Sequence, residues 1–301
     1  MGKLAFVFPG QGSQYVGMGK DLAAGSQEAA RMFKEADDIL GFALSKVCFE
    51  GPDEELRQTK NTQPAIFLHS VVCSTLYQGE RPAMAAGHSL GEYSALVYAG
   101  SLSFRDGLKL VRLRGELMQQ AGVDQPGTMA AVVGLEPATV NELCGEASAA
   151  GVVQAANFNS PGQIVISGSV HGVRKAMELA KARGAKLVKE LPVSGAFHSP
   201  LMESARTGLK KALDAAQFSD ATIPVYANVT AAPAQRSSDI RDLLFRQLTS
   251  PVRWEESVKN MAGGGASTFV EVGPGKVLQG LVKRTTPAAE VRGIEKLADL
   301  G

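Results

Sequence analysis

The pentapeptide Gly87–Gly91, with the sequence GHSLG, sets Ser89 between two glycines, after a short apolar run and before an amphipathic one. This G-x-S-x-G pattern is typical of a nucleophile elbow, the sharp strand-to-helix turn that exposes a serine hydroxyl above a β-sheet. Glycine permits the tight turn, and the start of the following helix offers free N–H groups to a developing oxyanion. Because a plain glycine–serine loop has the same letters, Ser89 is a candidate nucleophile that needs a partner.

A serine nucleophile requires a general base, and the sequence contains four histidines. His88 adjoins the serine, a spacing at which two side chains rarely face each other, and His69 lies in an apolar stretch that favours a packed imidazole. His171 begins a predicted surface helix. His198 lies in Gly195–Pro200, a loop between a predicted strand and a predicted helix, and catalytic groups favour such loops. Elimination therefore makes His198 the candidate base.

The third member of a Ser-His-Asp triad has no clear candidate, since no aspartate or glutamate after the elbow has a distinctive local context. A backbone carbonyl is the alternative group to orient the histidine, as a Ser–His dyad requires. The chain order of serine before histidine matches that of α/β-hydrolases.

Arg114 is the second informative residue, because it lies on the apolar face of a helix predicted over Ser103 to Ala121 and closed by Gly122. The apolar residues at i, i+3 and i+4 spacing on that face are Leu110, Val111, Leu117, Met118 and Ala121. A buried guanidinium needs an anionic partner. That partner is either an internal carboxylate or the carboxylate of a substrate, held by the guanidinium fork. The second interpretation favours a transferase of a dicarboxylic acyl group over an ordinary esterase.

A glycine turn over Phe8–Gln14 follows the first predicted strand. It has neither the Gly-Lys-Ser/Thr of a P-loop nor the spacing of a dinucleotide-binding motif. In an α/β-hydrolase-like body, a loop after an early strand supplies the second donor of the oxyanion hole. Gln11 is therefore the candidate for that donor.

The composition excludes several classes of function. The 301 residues are 45% hydrophobic with a net charge of +1, so a large core is expected and nucleic-acid binding is not. Three cysteines without a C-x-x-C pair argue against a disulfide framework or a zinc site. No signal peptide is visible and no apolar run approaches ~18 residues. We therefore expect a cytoplasmic protein without membrane contact.

Strand-like and helix-like segments alternate along the chain, which predicts an α/β fold with an α/β-hydrolase-like, mainly parallel sheet. The order changes to β-α-β-β-α-β in the middle, as in ferredoxin-like folds, with the hairpin turn predicted at Asn159–Gly162. We expect a catalytic subdomain over residues 1–125 and 192–301, with a ferredoxin-like subdomain inserted over residues 126–191. The last predicted element is a helix from Val277 to Arg284.

Taken together, these motifs resemble those of the malonyl-CoA:acyl carrier protein transacylases. The similar segments run from residue 6 to about residue 284; they are Phe8–Gln14, Gly87–Gly91, Arg114, Asn157–Gln163, Gly195–Ser199 and Glu271–Gly275.

The resemblance implies a ping-pong reaction that needs no cofactor. Ser89 attacks the thioester of malonyl-CoA with His198 as general base, and the phosphopantetheine thiol of acyl carrier protein then takes the malonyl group. The backbone N–H groups of Gln11 and Leu90 form the oxyanion hole, and Arg114 pairs with the malonyl carboxylate.

The resemblance also implies a set of positions around the substrate. Gln247 matches the residue whose backbone carbonyl holds the histidine, and Asn157 and Asn159 match positions at the mouth of the site. His88 and Met118 complete the candidate substrate-binding set. Phe197 implies selection of malonyl over methylmalonyl groups, because a phenyl ring crowds an α-methyl branch; one methyl group is worth only ~1–3 kcal/mol.

Three other functions remain open at this point. The first is a serine hydrolase or esterase with the same serine and histidine, and the second is an acyltransferase with a different acyl-CoA donor. The third is a non-catalytic module that binds carrier protein. The resemblance implies acyl carrier protein and a coenzyme A thioester as partners, and we expect a monomer. Fatty-acid and polyketide synthesis are both compatible with the motifs.

Overall fold

The computed structural model describes residues 2–300 and contains two β-sheets, whose strands are numbered in chain order. The strands are β1 (Lys3–Phe8), β2 (Met84–Gly87), β3 (Gly127–Val133), β4 (Val153–Ser160), β5 (Gln163–Ser169), β6 (Leu187–Glu190), β7 (Val225–Tyr226), β8 (Pro233–Ala234), β9 (Ala266–Val272) and β10 (Glu290–Ile294).

The helices are likewise numbered along the chain. They are α1 (Lys20–Gly25), α2 (Gln27–Leu40), α3 (Leu44–Glu50), α4 (Asp53–Leu56), α5 (Thr59–Leu76), α6 (Gly91–Tyr98), α7 (Phe104–Asp124), α8 (Pro137–Ala147), α9 (Val170–Ala182), α10 (Glu203–Ala215), α11 (Ser237–Gln247), α12 (Trp254–Gly263) and α13 (Val277–Thr285). In residues 2–300, no helix is long and apolar enough to cross a membrane.

The larger sheet has the order β10-β9-β1-β2-β7-β8, and its neighbouring strands are parallel except for the pair β7 and β8. Its central strand β1 is buried on both faces, which explains why Leu4–Phe8 reads as a continuous apolar run. Helices cover both faces, as parallel connections require. The predicted α/β fold with a mainly parallel sheet is confirmed.

The smaller sheet has the order β4-β5-β3-β6, and all of its pairs are antiparallel. With α8 and α9 between its strands, it has the predicted sequence of elements, β-α-β-β-α-β. These elements bury a cluster of their own, which includes Val132, Val140, Ile166 and Ala176. The sheet meets the larger body through β4, where the backbone N–H of Phe158 donates to the carbonyl of Val252.

Helix α7 begins as predicted and ends later than predicted. Ser103 caps it, because its hydroxyl accepts from the backbone N–H of Asp106 at 3.0 Å. Gly122 does not close the helix, which continues to Asp124. Its missing side chain serves close packing instead, since a Cβ there would lie 2.2 Å from the carbonyl oxygen of Ser194.

Two other boundaries differ from the sequence-based expectation. The predicted turn residue Asn159 lies inside β4, and the hairpin closes over Pro161 and Gly162 alone, with Gly162 at φ +69°. The chain also returns to the sheet after its last helix as strand β10, which was not predicted. Because β10 lies at the sheet edge and its residues before the buried Ile294 alternate between exposed and half-buried, its sequence lacks the apolar run that marked β1.

Candidate active site

Ser89 lies at the junction of β2 and α6, in a turn that glycines at positions 87 and 91 make possible. A Cβ on Gly87 would lie 1.9 Å from the carbonyl carbon of Gly91, and a Cβ on Gly91 would lie 2.1 Å from the carbonyl oxygen of Phe8. Ser89 itself has φ +52°, in the left-handed region that non-glycine residues rarely adopt. Such strain, of order 1–3 kcal/mol, clusters at functional sites.

The structure brings Ser89 and His198 together from positions 109 residues apart. The Ser89 Oγ lies 2.7 Å from His198 Nε2, and His198 Nδ1 lies 3.0 Å from the backbone carbonyl oxygen of Gln247. Because a carbonyl oxygen only accepts, Nδ1 carries the imidazole proton and Nε2 accepts from the serine hydroxyl. A carbonyl thus occupies the place of a triad acid.

His198 is uncharged at neutral pH. Burial, together with the nearby positive charge of Arg114, lowers the pKa of His198 to about 3, and the hydrogen bond to Gln247 opposes that change. A neutral imidazole is the form that can take the proton of the serine hydroxyl.

Arg114 points from α7 to the serine and is 1% exposed. Its Nη2 donates to Ser89 Oγ at 3.1 Å and to the side-chain oxygen of Gln247 at 2.9 Å, and its Nη1 donates to the side-chain oxygen of Gln63 at 2.8 Å. In residues 2–300, no carboxylate lies within 4.0 Å of this guanidinium and its Nε has no partner. The internal salt bridge considered above is therefore absent from the described residues.

A cavity of about 280 Å³ opens above the serine and the arginine. Besides Ser89, Arg114 and His198, it is lined by the candidates Gln11, His88, Leu90, Met118, Asn157, Asn159 and Phe197. The structure thus gathers ten of the eleven candidate residues around one space. Gln247 is fully buried and lies behind Arg114, where its side chain contacts the guanidinium.

Two backbone N–H groups beside the cavity have no acceptor among residues 2–300. They belong to Leu90 and Gln11, which both line the cavity with Ser89. The N–H of Ser89 itself is unavailable, because it donates to the side-chain oxygen of Asn228 at 2.7 Å.

Polar contacts fix the cavity wall. His88 Nε2 lies 2.8 Å from the side-chain oxygen of Asn159, which joins the elbow to the smaller sheet. Burial lowers the pKa of His88, so its imidazole is neutral and donates this bond through Nε2. Met118 accepts from the side-chain amide of Gln63 at 3.2 Å.

Sequence reasoning missed three buried polar residues beside the site: Gln63, Glu92 and Asn228. Gln63 lies in α5, whose residues are buried except near its two ends, and Asn228 lies in the short connection between β7 and β8. Their contacts reach elements far away in the chain, so no local spacing marked them. Glu92 follows the elbow directly in the chain, and this position beside the candidate nucleophile was the available signal.

Comparison with known proteins places the chain in a family. Residues 5–298 match the family model of the acyl transferase domain. The chain is 49% identical to the malonyl CoA-acyl carrier protein transacylase of Bacillus subtilis (strain 168), over 94% of this chain and 90% of the relative. The chain therefore belongs to the acyl transferase family and is an acyltransferase.

Among solved structures, the chain is similar to malonyl transacylases of that family. The acyl carrier protein S-malonyltransferase of Vibrio cholerae superposes with a TM-score of 0.96 at 46% identity, over 99% of this chain and 98% of the other. A malonyl-transacylase in complex with its type II polyketide synthase acyl-carrier protein gives a TM-score of 0.95 at 41% identity, over 99% and 97% of the two chains. The resemblance to malonyl transacylases that the motifs indicated is confirmed.

Proposed function

We propose that this chain transfers a malonyl group from malonyl-CoA to the phosphopantetheine thiol of an acyl carrier protein, through a malonyl ester of Ser89. The observation that carries the proposal is the buried Arg114 cation, which contacts the serine hydroxyl and meets no carboxylate among residues 2–300. A cation in that place recognises an acyl group whose far end is a carboxylate. The names of the relatives support the same donor and acceptor.

The first half-reaction acylates the serine. His198 Nε2 takes the hydroxyl proton while Oγ attacks the thioester carbonyl carbon, which gives a tetrahedral intermediate. The N–H groups of Gln11 and Leu90 bind its oxyanion, and loss of one such donor costs ~3–4 kcal/mol. The intermediate collapses as the C–S bond breaks, and the coenzyme A thiolate leaves with the proton held by His198.

The second half-reaction runs the same steps with a new nucleophile. His198 takes the proton of the phosphopantetheine thiol, and the sulfur attacks the ester carbonyl of malonyl-Ser89. Collapse breaks the bond to Oγ, and the imidazolium returns the proton to the serine. No redox step or metal enters this sequence, so the reaction requires no cofactor.

Arg114 can hold the malonyl carboxylate while it keeps its two glutamine partners. Three of its five N–H groups donate to Gln63, Gln247 and Ser89, which leaves one Nη1–H and the fully buried Nε–H. The bond to Ser89 is also released to the ligand once Oγ has become an ester oxygen. The malonyl carboxylate then binds a guanidinium that is already desolvated in the fold, so its desolvation is not part of the cost of binding.

The remaining cavity residues give the donor pocket its shape. Phe197 adjoins the base and restricts the space for an α-methyl branch, while Met118 lies beside Arg114 on the same wall. Asn157, Asn159 and His88 line the mouth on the side of the smaller sheet. We assign these five residues to substrate binding and Gln247 to holding Arg114 and His198.

We extend the proposal to the whole chain. Residues 126–191 form an inserted subdomain, which their separate buried cluster supports, and residues 1–125 and 192–301 form the catalytic subdomain. We also propose that a monomer suffices for the reaction, since Ser89, His198 and Arg114 all belong to one chain. Three buried free cysteines, Cys48, Cys73 and Cys144, support residence in the reducing cytoplasm.

Intact-protein mass measurement tests the proposed function. With malonyl-CoA alone, the chain is expected to gain one malonyl group, and addition of holo acyl carrier protein is expected to remove it. Ser89→Ala should gain nothing, whereas the exposed control Ser238→Ala should behave as the unmodified chain. Free malonate without carrier protein would indicate a hydrolase, and equal gain from acetyl-CoA would contradict the malonyl assignment.

A further inference from the structure

Glu92 is a buried carboxylate next to the site that the proposed reaction does not use. It is 3% exposed and does not line the cavity above the serine. Its Oε2 accepts two hydrogen bonds, from the side-chain Nε2 of Gln247 at 2.8 Å and from the backbone N–H of Asn228 at 3.0 Å. Within residues 2–300, no cation forms an ion pair with it at 4.0 Å or less. Gln247 in turn contacts Arg114, and Asn228 in turn contacts Ser89.

The first partner, Gln247, has its amide orientation fixed by Glu92. Its Nε2 donates to Glu92 and to the carbonyl oxygen of Ser89 at 3.0 Å, and both of these atoms are acceptors. A flipped amide would set its oxygen against two oxygens, so the nitrogen must face them. The amide oxygen consequently faces Arg114 Nη2 at 2.9 Å.

The second partner, Asn228, holds the elbow at both ends. Its side-chain oxygen accepts from the N–H of Ser89 at 2.7 Å, and its side-chain nitrogen donates to the carbonyl of Gly87 at 2.7 Å. Its own backbone N–H is the group bound by Glu92. The carboxyl group of Glu92, which orients Gln247, therefore also stabilises the left-handed conformation of Ser89 through Asn228.

We propose that Glu92 is a positioning residue, which holds the Ser89 hydroxyl and the Arg114 guanidinium in their mutual geometry through Asn228 and Gln247. This inference rests on the proposed function, because it assigns Glu92 to malonyl selection by Arg114. Glu92 reaches Arg114 only through the side chain of Gln247, and this separation leaves Arg114 open to substrate. A carboxylate in direct contact would occupy the N–H groups that the malonyl carboxylate needs.

The electrostatics agree with this arrangement. Burial raises the pKa of Glu92 to about 7, while the bonds from Asn228 and Gln247 and the charge of Arg114 oppose that rise. Burial likewise lowers the pKa of Arg114. The two ionisable groups share one buried polar network in which the amide of Gln247 lies between them.

Three variants test whether Glu92 acts through its hydrogen bonds or only by filling space in the core. Glu92→Leu removes the acceptor, and Gln247→Leu removes the amide but keeps the backbone carbonyl that binds His198. Glu92→Gln keeps one oxygen that can accept both bonds, so it is the conservative rescue. Glu116→Leu, at an exposed carboxylate on the same helix as Arg114, is the control.

The measured quantity is the ratio of kcat/KM for malonyl-CoA to that for acetyl-CoA. Glu92→Leu and Gln247→Leu are each expected to lower this ratio by about tenfold or more, the effect of losing one buried hydrogen bond. Glu92→Gln should stay within about threefold of the unmodified chain, as should the control. The double variant should lose little more than either single one, because both act along one path.

The outcomes that overturn the inference are equally specific. An unchanged ratio in Glu92→Leu, even with lower total activity, would reduce Glu92 to a structural residue. If Glu92→Leu fails to fold, an unchanged ratio in Gln247→Leu, or a loss above about tenfold in Glu92→Gln, decides against the inference. An unmodified chain without malonyl preference would instead refute the proposed function itself.

Discussion

Arg114 keeps its charge available because the side chains that bind it in the described part of the chain are neutral. Two glutamine amides hold the guanidinium in place, and in the proposed function a carboxylate of the acyl group supplies the counter-charge that a buried cation requires. The sequence predicted the burial of Arg114 from helical spacing, and it predicted the partnership of Ser89 and His198 from motif and elimination.

The groups that hold these residues were beyond sequence reasoning. Gln63 lies 51 residues before Arg114 in the chain, and Asn228 lies 139 residues after Ser89. Contacts at such separation follow from how the elements pack and leave no periodic signal. The sequence offered no clear triad acid, and in the structure His198 Nδ1 contacts the backbone carbonyl of Gln247.

The depressed pKa of His198 predicts an unusual pH dependence. Because burial lowers that pKa from 6.5 to about 3, the imidazole stays unprotonated far below the pH at which an ordinary histidine is protonated. Glu92, whose pKa is raised to about 7, would complicate the pH profile, so the test uses the Glu92→Gln variant. In this variant, kcat/KM for acylation by malonyl-CoA is expected to stay constant from pH 8 down to pH 5, as measured by stopped-flow. An acid limb centred near pH 6.5 would contradict a buried, neutral His198.

The raised pKa of Glu92 predicts a change in stability. The carboxyl keeps its proton in the fold up to about pH 7, whereas the unfolded chain loses it near 4.5. Its contribution to the free energy of unfolding is therefore fully present below pH 4.5 and is lost as the pH rises through 7. Glu92→Gln avoids this loss, so its stability relative to the unmodified chain should rise by about 2–3 kcal/mol between pH 5 and pH 8.

Denaturant unfolding at the two pH values measures that difference. The other buried titratable groups are shared by both chains and cancel in the comparison. A constant difference between pH 5 and pH 8 would show that Glu92 titrates as an exposed carboxyl does.

At the scale of elements, the elbow depends on the contact of β1, β2 and α6 at glycine backbones. The sequence predicted this strand–turn–helix because the G-x-S-x-G motif is local and is typical of that geometry. It did not predict β10, whose place at the sheet edge depends on pairing with β9. It ended α7 too early at Gly122, because a glycine that permits close packing looks the same as one that ends a helix.

A glycine pair tests the elbow. Gly91→Ala puts a methyl group 2.1 Å from the carbonyl oxygen of Phe8, so we expect a loss of more than ~3 kcal/mol in the free energy of unfolding. Acylation of Ser89 should fall with it. Gly145→Ala, in α8 with open space around it, should gain ~0.5–1 kcal/mol from helix propensity. Equal stabilities for the two variants, by chemical denaturation, would be incompatible with a tight elbow.

At the scale of the molecule, the site lies where the smaller sheet meets the larger body. Strand β4 supplies Asn157 and Asn159 to the cavity, and the side chain of Asn159 bonds to His88 beside Ser89. The sequence predicted the β-α-β-β-α-β order of this region because each of its elements has a clear period. How the two sheets meet depends on contacts such as that between Phe158 and Val252, which no local pattern encodes.

The link between the two sheets can be tested at Asn159. Asn159→Ala removes the acceptor of the Nε2–H of the half-buried His88, which costs ~1 kcal/mol. We expect lower stability and a higher KM for malonyl-CoA, because the cavity mouth loses a fixed contact. Asn141→Ala, at an exposed position of α8, should stay within ~0.5 kcal/mol of the unmodified chain. An unaltered KM in Asn159→Ala, measured by steady-state kinetics, would remove Asn159 from the substrate site.

Donor competition tests the central claim, that the buried cation of Arg114 selects the acyl group. The chain is mixed with equal concentrations of malonyl-CoA and acetyl-CoA, and the two acyl-enzymes are separated by intact mass. The unmodified chain and Arg105→Ala, whose side chain is 58% exposed on the same helix, should carry malonyl almost exclusively. In Arg114→Ala, loss of a charge-assisted bidentate contact should cut the malonyl share by about 100-fold relative to acetyl. A malonyl preference that survives in Arg114→Ala would contradict the account.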